Sequence, residues 1–224
     1  MLSIVSAAGS AFLIREILIT GLQSDRFTLI QLIPVSAIAV FSTITCIVIF
    51  LSFRNTASSE IFFFFIFIFS LVFDIFKIIS PDIYTMAVTR IIYFGLFTGG
   101  LSLFCAGLFT TGLEYQRMGI SAIIVFILPA ALILVLPVDI TSYIPGGTAE
   151  IGKFHEITIA LLAIKTMAVL NFFIAGGKNE SREYFLIGIY LLLAICGREL
   201  IYYFENIIIN GAGFLLLLLG TIMF

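Results

Sequence analysis

Six ionisable residues interrupt otherwise apolar stretches of the chain: Asp74, Lys77, Arg90, Lys165, Arg198 and Glu199. Such groups cost about 2.5–3.5 kcal/mol each on membrane-insertion scales, so each calls for a partner, a wet cavity or a ligand. Arginine presents a planar fork of donors matched to oxyanions, which makes Arg90 and Arg198 candidates for holding an anionic ligand or a carboxylate partner. Asp74 and Lys77 are three positions apart, on one helix face and within pairing distance. Arg198 and Glu199 are adjacent, diverge by about 100° on a helix, and so address different neighbours. Lys165 lies nearest the middle of its apolar run. It is either a proton- or ligand-bearing group or a lysine paired with Asp74 or another carboxylate across a bundle. A structural alternative covers the whole set: the groups snorkel to lipid headgroups or form ion pairs that hold helices together.

The elements that must position these residues follow from composition. Of 224 residues, 62% are hydrophobic and only 11% charged, with 25 Phe and no Trp. A soluble domain carries about 25% charged residues, so this chain is expected to be a polytopic, all-α membrane protein. Apolar runs continuous over about 20 residues favour helices over barrel strands, which alternate over about ten. Seven spans are predicted, at 27–53, 61–80, 84–113, 118–138, 157–175, 184–204 and 207–224. Pro81 follows the second, Glu114 and Arg117 close the third, and Gly176-Gly177-Lys178 closes the fifth. The longest polar connection, 139–153, is expected to turn at Pro145-Gly146-Gly147. Residues 1–26 form a short extracytoplasmic or interfacial segment before a seven-helix domain at 27–224. Its first fourteen residues lack the basic flank of a signal peptide and are too short to span.

An N-terminus outside and a C-terminus inside leave Arg54, Arg117, Lys178 and Arg182 in inner loops, against Arg26 and Lys153 outside. The intramembrane charges then gather toward the outer side, where a polar, outward-open cavity would hold them. Glycines at 95, 99, 100 and 107 read as close-packing positions, and the Phe-rich stretch 62–69 as lipid-facing or core surface.

Several function classes are disfavoured. A net charge of −2 and 11 scattered basic residues provide no nucleic-acid footprint. Cys46, Cys105 and Cys196 lie in apolar runs, and His155 is the single histidine, so no metal and no cofactor is expected. No nucleophile elbow, zinc-hydrolase or P-loop pattern occurs, leaving an enzyme the least supported class.

Three stretches carry a resemblance: FLSFR at 50–54 followed by Glu60; YFLIGIYLLLA at 184–194 leading to GRELIYY at 197–203; and NGAGF at 210–214 with the run ending GTIMF at 220–224. With seven spans, they resemble the bacterial seven-transmembrane receptors with diverse intracellular signalling modules. The resemblance implies a sensory module of the bacterial cytoplasmic membrane, passing a signal from an outer-side cavity to a cytoplasmic output domain or protein. It implies a small ligand or extracytoplasmic partner, and a homodimer is compatible with it. The family supplies no fixed site residues within the bundle. This chain departs from the family pattern in having only 26 residues before the first span and none after the last. Output is therefore expected from a separate protein or from sequence outside these residues. A small-molecule transporter or substrate-capture subunit, and a scaffold subunit of a membrane complex, are the alternatives.

Overall fold

The computed structural model describes residues 26–53, 58–78, 81–112, 115–143, 149–204 and 206–224. Seven α-helices occur among them: α1 Arg26–Phe53, α2 Ser59–Ser70, α3 Pro81–Thr110, α4 Met118–Val135, α5 Phe154–Lys178, α6 Arg182–Tyr203 and α7 Ile207–Met223. Five of them, and α2 together with the 3-10 segment that follows it, are long and apolar enough to cross a membrane, and α7 is a shorter apolar helix. The chain is thus an integral-membrane helical bundle. The 1–25 part of the N-terminal segment lies outside the described residues.

The second predicted span is not one continuous α-helix. It winds as α-helix to Ser70 and continues as a 3-10 helix over Leu71–Ile78. The Ser70 hydroxyl donates to the Phe67 carbonyl at 2.7 Å, and the Leu71 N–H turns to the Ile68 carbonyl, three residues back. From α1, the Ser42 hydroxyl also donates to the Ile68 carbonyl, at 2.9 Å. The tightened winding brings Asp74 into the bundle.

The connection after α4 is also more ordered than predicted. Pro137 stops α4 early, and β1 (Val138–Tyr143) pairs antiparallel with β2 (Ala149–Ile151), placing Val138 opposite Ile151. A small sheet therefore joins the expected all-α architecture. The alternation of Val138, Asp139, Ile140 and Thr141 is a strand signal. The expected Pro145-Gly146-Gly147 turn lies outside the described residues. Ile151 is fully buried and packs in one cluster with Ile92, Tyr93, Leu96, Leu161 and Tyr202, so the hairpin covers one end of α3, α5 and α6.

The main core is aromatic. Phe63, Phe64 and Phe67 of α2 are buried, Phe63 stacks on Phe109 of α3, and Phe64 stacks on Phe224 at 3.8 Å. The α6–α7 seam relies on absent side chains instead. A Cβ at Gly197 would stand 2.5 Å from the Gly213 carbonyl, and one at Gly220 would stand 2.5 Å from the Ala194 nitrogen. Glycine alone permits that approach. By contrast, α4 packs mainly on α3, and Ile120, Ile123, Ile127 and Leu134 on it are exposed.

Candidate functional site

Three consecutive residues near one end of α6 reach three different neighbours. Gly197 lies against the α7 backbone at Gly213 and Leu217. Arg198 extends toward the 3-10 segment, its Nε 3.7 Å from Oδ2 of Asp74. Glu199 pairs with Lys165 of α5. The 100° step between helix positions accounts for the divergence.

The cluster holds two cations and two carboxylates, from α5, α6 and the 3-10 segment. Arg198 is 1% exposed, Lys165 3% and Asp74 5%; Glu199 alone is half-buried, at 23%. Lys165 also lies within electrostatic reach of Asp74 and Arg198. Four opposed charges sum to zero, which is how a low-dielectric bundle tolerates them.

The two halves differ in closure. Lys165 and Glu199 make a direct, charge-assisted hydrogen bond. Arg198 and Asp74 stand beyond hydrogen-bond distance: Nε, Nη1 and Nη2 of the arginine and Oδ1 of the aspartate are buried without a hydrogen-bond partner. The guanidinium is supported by surface rather than by acceptors. Its carbon lies 5.8 Å from the Phe67 ring centroid, and Nη1 is 2.6 Å from where a Cβ on Gly99 would be. Gly99 thus leaves the space that the guanidinium enters. Thr98, fully buried on the same stretch of α3, has a hydroxyl with no hydrogen-bond partner.

The six predicted residues separate accordingly. Asp74, Lys165, Arg198 and Glu199 come together, with Lys165 paired to Glu199 rather than to Asp74. Arg90 is not joined to them by an ion pair among the described residues. It sits nine positions from Gly99, roughly 13 Å along α3, with Nε buried and lacking a hydrogen-bond partner. The Lys77 side chain, and with it the expected Asp74–Lys77 pair, lies outside the described residues. Three of the four clustered charges are buried between helices instead of lining an open cavity.

Sequence reasoning missed Ser70 and Gly99 as neighbours of the charges. The glycines at 95 and 99 with Ser102 mark one small-residue face of α3, but that spacing signals close packing without saying what packs there. Among the described residues, a groove of about 460 Å³ lies at the α5–α6 turn near Gly176 and Arg182, and one of about 510 Å³ between Phe62 and Met118, both away from the cluster. No group of three potential metal ligands occurs among the described residues. Comparison with protein-family models, curated proteins and solved structures found no match to the chain.

Proposed function

We propose that the protein is a membrane-embedded receptor module of the bacterial cytoplasmic membrane, with seven spans, the N-terminus outside and the C-terminus inside. The charged cluster is its input and α7 its output. One observation carries this reading: the Gly197-Arg198-Glu199 triplet ties α6 simultaneously to α7, to Asp74 and to Lys165. A change of pairing among the charges moves α6, and a backbone contact without side chains between gives α7 little freedom to stay behind. Signalling further requires two packings, with an input that favours one of them.

A distance measurement tests the coupling. Spin labels at Ile174 and Ile222, exposed on α5 and α7 away from the cluster, report the separation of those helices after Cys196 is replaced. Glu199→Gln, which weakens the Lys165 contact, is expected to shift that distance distribution. An unchanged distribution in a folded protein would overturn the receptor reading. A second reading is supported by the half-buried Glu199 beside buried Lys165, which would suit a carrier exposing one group of a charged site. Accumulation of a substrate in proteoliposomes would favour it.

A further inference from the structure

We propose that Arg198 is a binding site for a small monovalent anion, which takes the place of Asp74 at the guanidinium. The proposal rests on the reading of the cluster as the input site, and it names the chemical class of that input.

The donors are in place and unused. Nη1 and Nη2 of Arg198 are buried without hydrogen-bond partners, and Nε faces Asp74 only across 3.7 Å. A buried guanidinium that lacks acceptors is costly, so an oxyanion or halide at this fork gains charge-assisted hydrogen bonds that the resident carboxylate does not make. Space restricts size: Ser70, Gly99 and Phe67 crowd the guanidinium, which suits bromide, chloride or formate rather than a bulky anion.

Two anions then compete for one cation. Lys165 and Glu199 neutralise one another, and Arg198 and Asp74 do the same. Glu199 remains held by Lys165, so the added anion is bound at the expense of the Asp74 carboxylate, whose remaining cation within electrostatic reach is Lys165. Removing that carboxylate therefore tightens the anion.

The test is thermal stabilisation of the purified full chain in detergent by sodium bromide and sodium formate, against sodium gluconate at equal ionic strength. The expected result is stabilisation by the two small anions alone. Asp74→Asn should strengthen it, because the competing carboxylate is gone, and Arg198→Gln should lose it altogether. Indifference of the unaltered protein to the small anions, or a stabilisation that Arg198→Gln keeps in full, would overturn the proposal. The unaltered protein keeps the test decisive if a variant does not fold. The spin-label experiment separates the two ideas. Label movement without an anion effect removes the anion and leaves the receptor; an anion effect without movement in Glu199→Gln does the reverse.

Discussion

Lys165–Glu199 and Arg198–Asp74 join the same part of α6 to different neighbours, yet one pair is closed and the other stands open. The closed pair includes the half-buried Glu199, and a lysine ammonium can swing on four methylenes to meet its acceptor. The open pair is fully enclosed, and its rigid guanidinium lies on Phe67 over Gly99, so packing rather than acceptor geometry determines its position. Formal charge is therefore a poor guide to what a buried pair does. The closed pair fastens α5 to α6, while the open one retains donors whose partner can be exchanged.

Removing a partner from each pair should expose that difference. The largest effect is expected from Asp74→Ala, which strands a 1% exposed guanidinium and should cost about 3–5 kcal/mol, read by thermal unfolding in gluconate buffer. A loss no larger than that of an ordinary surface substitution would mean that Arg198 is not held by Asp74. Lys165→Met should cost less, about 2 kcal/mol, because the stranded Glu199 retains contact with its surroundings at 23% exposure. Adding Glu199→Leu to it should recover most of that loss, since a matched apolar pair leaves no buried charge; failure to recover would contradict the fastening role. The smallest effect calibrates the scale. Lys153 and Glu156 are 3.0 Å apart but 80% and 68% exposed, and Glu156→Gln should change stability by less than about 0.5 kcal/mol.

The helices and the isolated charges were legible in the sequence because an apolar bilayer makes both conspicuous: long runs without charge, and ionisable residues that interrupt them. Proline marked the start of α3 at Pro81 and the region where α4 ends near Pro137. The pairing was not legible. Local spacing joined Asp74 to Lys77, but the contact described for Asp74 is with Arg198, from a helix far along the chain. The 3-10 winding that positions Asp74 contains no glycine or proline over Leu71–Ile78, and it starts where Ser70 takes the Phe67 carbonyl. Such side-chain competition for a single carbonyl leaves no periodic trace. The hairpin did leave one, in the alternation from Val138 to Thr141, but the polarity of the connection obscured it.

Unequal helix lengths make the surrounding bilayer an active variable. The apolar stretch of α3, Met86–Thr110, has 25 residues and that of α4, Met118–Val135, has 18, about 37 Å against about 27 Å. In a hydrocarbon layer of about 30 Å the first must lean while the second is already short, and α4 has most of its surface available to lipid. A thicker membrane would draw α3 upright and stretch past α4; a thinner one would relieve α4 and tip α3 further. Because Gly99 on α3 lies under the Arg198 guanidinium, lipid chain length becomes a mechanical load on the surroundings of the open Arg198–Asp74 pair.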